Sequence, residues 1–338
     1  MLPLLSSIDP SALAALADRL PCADTAAADA ARARQGTLTK PPGSLGRLEE
    51  LAEFMASWQR SPRPVIAKAQ ALVFAGNHGV CAQGVNPYPQ AVTAQMVANF
   101  ATGGAAINQL CNVAGAALSV IALDLEHPTV DFTQGAAMTD VACLDALDRG
   151  AAAVDATASI LILGEMGIGN STVAAALMTA LFGGRAADWV GPGTGSDAAG
   201  MARKITAIET GLERHANLAP LATLVAFGGR EQAALCGAIL AARAARIPVI
   251  LDGFICTAAA AVLFAADPRF LDHCLVGHAS AEPGHRRLLS VIEKRPVLEL
   301  DMRLGEGTGA ALALGIVRAA LACHNGMATF ADAGVTSA

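Results

Sequence analysis

Beyond residue 70 the chain repeats one pattern: a short apolar run, a glycine-bearing or polar turn, then an alanine-rich stretch of helical character. The runs are Ala71–Ala75, Leu118–Leu123, Ile160–Leu163, Pro248–Leu251, Cys274–Val276 and Val297–Leu300. Several lack the polar alternation of a half-exposed strand and read as fully buried strands. Strands separated by helices of roughly ten or more residues cannot be joined as hairpins. They imply βαβ units in a mostly parallel sheet, and hence an α/β fold flanked by helices. The polar residues collect just after the runs, at Gly76–Gly79, Gly164–Ser171, Asp252–Phe254, His278–Glu282 and Arg303–Gly309. In an open parallel sheet those positions share the carboxyl edge, where ligands bind. Five such turns on one edge predict a single composite site.

Composition supports a large core. Of 338 residues, 54% are hydrophobic and 15% charged, but aromatics are only 4%. The core is therefore built of Ala, Leu, Val and Ile, which suits helices packed closely on a sheet. The net charge is −6 and no Lys/Arg cluster recurs along one face, which argues against a nucleic-acid partner. An anionic ligand would have to be held by helix N-termini and single Lys or Arg residues. The eight cysteines are scattered without a C-x-x-C pair, as expected of small buried residues in a reducing compartment. The opening MLPLLSSIDP lacks a basic leader region, and every apolar stretch is interrupted before ~20 residues. A cytoplasmic protein without a membrane span is expected.

Residues 1–60 differ in character. Amphipathic helical runs are predicted from Pro10-Ser11 to Leu20 and from Asp24 to Arg34. A third is predicted to begin near Ser44 as N-cap, after the Pro41-Pro42 break. The expected division is a small helical domain at 1–60, completed by a C-terminal helix at 308–330, and a large α/β nucleotide-binding catalytic domain at 61–307. The tail after Asn325 reads as loose.

Three segments could carry chemistry. Gly164–Thr172 has the strand–glycine turn–helix outline of a phosphate loop, but Asn170 stands where a Walker A motif has lysine. That argues against a nucleoside triphosphatase; a monophosphate seat and simple tight packing both stay open. Gly191–Asp197 is a second glycine-rich loop opening a helix with Lys204, which could act as a point charge on phosphate, while an ordinary surface loop is equally compatible. In Arg303–Gly309 a glutamate, Glu306, is flanked by glycines between an apolar strand and an apolar helix. Apolar surroundings would raise its pKa toward that of a general base, while a carboxylate merely complementing a helix N-terminus is equally compatible. His78, His278 and His285 lack metal-ligand spacing, and no metal site is expected. Asp124 and Glu126 are not the adjacent acidic pair of a magnesium-pyrophosphate site.

Taken in order, Lys40–Glu49 (KPPGSLGRLE), Asn77–Val80, Val92–Met96, Gly164–Asn170, Leu251–Phe254, His278–Glu282 and Met302–Ala310 resemble the nicotinate-nucleotide–dimethylbenzimidazole phosphoribosyltransferases, the CobT family. The likeness runs from about residue 36 to 325. It implies a homodimer of subunits with a Rossmann-like parallel-sheet domain and a small helical domain, and a cofactor-free reaction of nicotinate mononucleotide with 5,6-dimethylbenzimidazole. It implies Glu306 as the general base, Glu165, Gly167, Lys204, Arg303 and Gly305 around the nucleotide and its phosphate, and Tyr88, Met96 and Leu304 in the base pocket. Two departures stand out. Asn77 replaces an aspartate common in relatives, and Gly84–Pro89 replaces a small, serine-containing segment. The second opens the choice of lower base to a purine, a phenol or another benzimidazole. Two rival classes are a non-catalytic nucleotide-binding protein and an ATP-dependent enzyme, the latter disfavoured by Asn170.

Overall fold

The computed structural model describes residues 13–336. Six strands, β1 (Ala69–Ala75), β2 (Ala116–Ala122), β3 (Ile160–Met166), β4 (Val249–Leu251), β5 (Cys274–His278) and β6 (Pro296–Leu298), form one sheet in the order β2-β1-β3-β4-β5-β6. Every pairing is parallel. The chain winds outward from β1 to β2, then returns to the other flank of β1 and continues through β3 to β6. The direction of winding thus reverses between β1 and β3, which places the ligand crevice of such a sheet outside their carboxyl ends.

Alternate strand residues feed two cores, as the period of two requires. Leu72, Phe74, Leu161, Leu163, Val249 and Leu251 face the helices Asp140–Ala152, Asn170–Phe182, Arg230–Ala244 and Phe254–Ala266. Ala71, Val73, Ile160, Ile162 and Ile250 face Arg47–Gln59, Ala106–Ala114 and Thr308–Gly326. Burying a Leu, Ile or Phe side chain completely contributes about 1.5–3 kcal/mol, so the α/β sandwich needs few aromatics.

The strands depart from the sequence pattern in informative ways. β3 runs three residues past Leu163, because β1 stays in register with it through Val73–Gly164, Phe74–Glu165 and Ala75–Met166. Glu165 is therefore a strand residue and not part of a turn. β2 begins at Ala116 and is half-exposed, since it is an edge strand paired only to β1. β6 is the other edge and opens with Pro296, which has no ladder donor to lose there.

At the N-terminus, Leu13–Ala17 is helical, while Pro10 and Ser11 lie outside the described residues. Asp24 caps Thr25–Gln35 by accepting the Ala27 amide at 2.9 Å. The third helix begins at Arg47 with Gly46 as N-cap, not near Ser44. Ahead of it, Glu49 Oε1 binds Lys40 Nζ at 2.7 Å and the Leu45 amide at 3.0 Å, which ties the KPPGSLGRLE segment into a knot. The region after Asn325 is anchored rather than loose. Arg34 donates to the carbonyls of His324, Asn325 and Met327, and Leu38 bridges to Thr329. Among the described residues no helix is long and apolar enough to cross a membrane.

Candidate active site

A cleft with about 800 Å³ of empty space, part of it open to solvent, lies at the carboxyl ends of β1 and β3, where an open parallel sheet binds its ligands. Its walls come from the segments after five strands: Val85–Tyr88 follows β1, Met166–Ser171 follows β3, Gly253–Ile255 follows β4, Ser280 and Glu282 follow β5, and Arg303–Gly305 follows β6. The composite edge site expected from the turns is therefore a single cavity. The Gly76–Gly79 turn lies behind it, with His78 fully buried and its Nε2 3.1 Å from Glu231 Oε1.

One end of the cleft is built for an anion. Lys204, almost wholly buried, points its Nζ at Ser171 Oγ (3.2 Å) and the Gly191 carbonyl (3.0 Å). Burial lowers its pKa and the nearby Glu282 raises it again. Glu282 Oε1 in turn accepts the Gly193 amide at 2.9 Å, and Arg303 donates to the Gly193 carbonyl. Ser171 opens the helix Asn170–Phe182, whose N-cap, Gly169, supplies no side-chain acceptor. That N-terminus therefore keeps its positive pole for a ligand. The second glycine loop does not: Asp197 already caps its helix through the Gly200 amide at 2.7 Å. Lys204 belongs to the second loop by sequence but serves the mouth of the first.

The other end is acidic. Glu165 lies on the cleft wall, yet burial, then the charges of Asp252, Glu231 and Glu306, push its carboxyl well above the usual carboxylate range. Asn170 donates to Glu165 Oε2, so the residue in the Walker lysine position faces a carboxylate. Glu306 follows the wall residues Arg303, Leu304 and Gly305 without itself lining the cleft. It leans on β3, its amide donating to the Glu165 carbonyl at 3.1 Å. Only 6% of it is exposed, and no described residue donates to its carboxylate. Burial, reinforced by Asp252, pushes it up to about 7.

The fit of that turn is steric. Gly305 has φ 86°, and a Cβ there would stand 2.7 Å from Glu165 Oε1. Gly164 presses its Cα face directly against the Gly307 backbone. Tyr88 and Leu304 both line the cleft and are about half-exposed. Met96 does not line it. It lies two helical turns beyond Tyr88 in Ala91–Ala101 and packs against the sheet core. The family resemblance, through the segment from Tyr88 to Met96, implies a place in the pocket; here its side chain packs on the sheet core instead.

A family model described as phosphoribosyltransferase matches residues 20–335. The chain belongs to this phosphoribosyltransferase family. Among its relatives, the nicotinate-nucleotide–dimethylbenzimidazole phosphoribosyltransferase of Rhodobacter capsulatus is 67% identical over 325 residues, covering 96% of this chain and 97% of that one. The enzyme of the same name from Novosphingobium aromaticivorans is 58% identical over 327 residues, covering 96% and 97%. A crystal structure of CobT from Thermus thermophilus superposes with a TM-score of 0.87 at 41% identity, covering 93% of this chain and all of that one. The likeness of fold extends across the whole of that CobT chain.

Within this family member the cleft also holds groups that sequence reasoning did not assign to it. His278 lines it, with Nε2 3.6 Å from Asp252 Oδ1. Ser171 and Glu282 frame the Lys204 end, and Asn170 the Glu165 end. All of them sit on the strand-end turns, which was the available signal. What it lacked was the side-chain direction. His285, by contrast, is structural. It accepts the Ser280 amide at Nδ1 (2.9 Å), lies 3.1 Å from Thr257 Oγ1 through Nε2, and burial pushes it down to about 3.

Proposed function

We propose that this protein transfers the 5-phosphoribosyl group of nicotinate mononucleotide to 5,6-dimethylbenzimidazole, giving α-ribazole 5′-phosphate and nicotinate for the nucleotide loop of cobalamin. The observation that carries the reading is the pairing, on one sheet edge, of a buried Lys204–Ser171 anion seat with an unpartnered carboxylate whose pKa is about 7. The relatives' shared name supports the same choice.

The chemistry uses what the cleft offers. The phosphate ester sits at Lys204, Ser171 and the N-terminus of Asn170–Phe182, with Arg303, Gly167 and Gly305 around the nucleotide. The pyridinium is already cationic, so the glycosidic bond breaks with its electron pair returning to the ring nitrogen and no acid is required. One nitrogen of the incoming base forms the new bond to C1′ from the opposite face, which inverts β to α. Its partner N–H gives its proton to Glu306, leaving a neutral ring in the product. A base with a pKa near the working pH is the most effective kind, and such catalysis is worth ~100- to 10,000-fold. Holding both rings in line supplies more. Glu165, whose carboxyl burial and the neighbouring Asp252, Glu231 and Glu306 push upward, stands on the same wall beside the nucleotide.

One observation favours a variation on this reading. Asn86, Pro87 and Tyr88 line the cleft where the family pattern has a smaller segment, so a purine, a phenol or another benzimidazole is the alternative acceptor. Homodimeric assembly, which rests on the family resemblance, and a cytoplasmic location, which rests on the scattered cysteines and interrupted apolar stretches, are part of the proposal. The test is incubation of the purified protein with nicotinate mononucleotide and a panel of bases, with products identified by mass. Release of nicotinate with a ribosylated benzimidazole is expected. Nucleotide binding without any product would point to the non-catalytic alternative.

A further inference from the structure

The turn that carries Glu306 adopts a conformation its own sequence resists. Gly305, Glu306 and Gly307 are all left-handed, at φ 86°, 63° and 86°. For a glutamate that region costs about 1–2 kcal/mol relative to ordinary backbone. A turn of this kind persists only where its surroundings over-determine it. Here the restraint comes from a neighbouring strand. Asp252, just past the end of β4, is fully buried, and it accepts the Gly307 amide at Oδ2 (2.9 Å) and the Ala310 amide at Oδ1 (3.0 Å). Those amides belong to the N-cap and first turn of Thr308–Gly326, groups that no helical carbonyl can serve. The N-cap is a glycine and offers no acceptor of its own, so Asp252 caps this helix from outside. His278 closes the other side, its Nε2 3.6 Å from Oδ1 and its ring filling the space beside Gly309.

The geometry points to Asp252 as a positioning residue for the reaction: by gripping both ends of the Gly307–Ala310 segment, it fixes where the Glu306 carboxylate stands. The inference rests on the reading of Glu306 as the base. Asp252 also acts through charge, because an anion held nearby opposes ionisation of Glu306. The other groups facing this turn are Glu165 from β3, with Glu231 behind it, and His278 from β5, while Arg303 lies on the turn itself. From Ala106–Ala114 the apolar Ile107 approaches Gly307.

The test compares Asp252→Asn, Asp252→Glu and Glu306→Gln with the wild type, following kcat, KM and their pH dependence. D252N keeps the shape but loses the charge, and it turns an amide donor toward one of the two backbone N–H groups. Its kcat is expected to fall ~10- to 100-fold, as a small misplacement of a catalytic group does, with KM for nicotinate mononucleotide within ~threefold of wild type. Its acidic limb should move below the wild-type position near 7, because a carboxyl freed of a neighbouring anion loses its proton at lower pH. D252E keeps the charge, so it should lose kcat while its limb stays in place. D252S replaces D252N if the latter does not accumulate as folded protein. A folded neutral variant with wild-type kcat or an unmoved limb would overturn the inference. Retained turnover in E306Q would instead sink the base reading on which it stands. In the wild type the Gly307 and Ala310 amides should exchange slowly with deuterium, and exchange at free-peptide rates would refute the clamp directly.

Discussion

At the residue scale the proposed catalysis turns on two buried groups, Lys204 and Glu306. Lys204 is desolvated without a full salt bridge, a state that a bound phosphate would relieve. Replacing it by Met should raise KM for nicotinate mononucleotide ~10- to 100-fold, the worth of one charge-assisted contact of about 1.5–3 kcal/mol. It should change kcat much less, and steady-state kinetics would separate the two. Glu306 makes the reverse case: it is strained in backbone and unpaired in side chain. Its folded pKa of about 7 lies above the 4.5 of an unfolded glutamate. The folded chain therefore holds a proton that the unfolded chain releases. The stability this gives is complete below 4.5 and is lost as pH rises through about 7. E306Q, which cannot ionise, should show a smaller fall in melting temperature between about pH 4.5 and 7 than the wild type. An unchanged fall would show that Glu306 is not the titrating group.

At the element scale the site is a matter of how closely backbones meet. Gly164, in the middle of β3, has no room for a methyl group against Gly307. Gly164→Ala should push the Glu306 turn off the strand and cost about 1–3 kcal/mol in denaturant unfolding, the usual penalty of overpacking. A wild-type midpoint would show the contact to be slack. Much of this level was legible in the sequence. Apolar runs without polar alternation announced the strands, and the glycine-flanked Glu306 announced an unusual turn. The position of Lys204 relative to the two loops was not legible. Both loops carry glycines, and only the Asp197 cap, a side-chain hydrogen bond, shows which N-terminus is already satisfied. Met96, which the resemblance set beside Tyr88 in the base pocket, packs toward the sheet core here, and the face of Ala91–Ala101 it occupies is fixed by packing that a motif does not show. Asp252 could be seen to end a strand, but its grip on amides more than fifty residues later depends on the crossover that brings β4 beside Thr308–Gly326.

At the scale of the whole molecule, sheet order explains why the chemistry gathers in one place. The reversal between β1 and β3 opens the crevice, and segments following β1, β3, β4, β5 and β6 line it. The N- and C-terminal segments are bound to each other through Arg34 and the Leu38–Thr329 bridge, so truncation after Asn325 should lower the melting temperature. An unchanged melting temperature would show those contacts to be idle. Light scattering at micromolar concentration is expected to report a dimer, and a monomeric mass would contradict the proposed assembly. The decisive experiment for Glu306 as the base is the single-turnover rate with saturating nicotinate mononucleotide and 5,6-dimethylbenzimidazole, measured from about pH 5.5 to 8.5 for wild type and E306Q. The wild-type rate is expected to rise with pH and level off above about 7, and the variant rate to be flat and at least ~100-fold lower. A variant that keeps the wild-type rate, or the same acidic limb, would contradict that role.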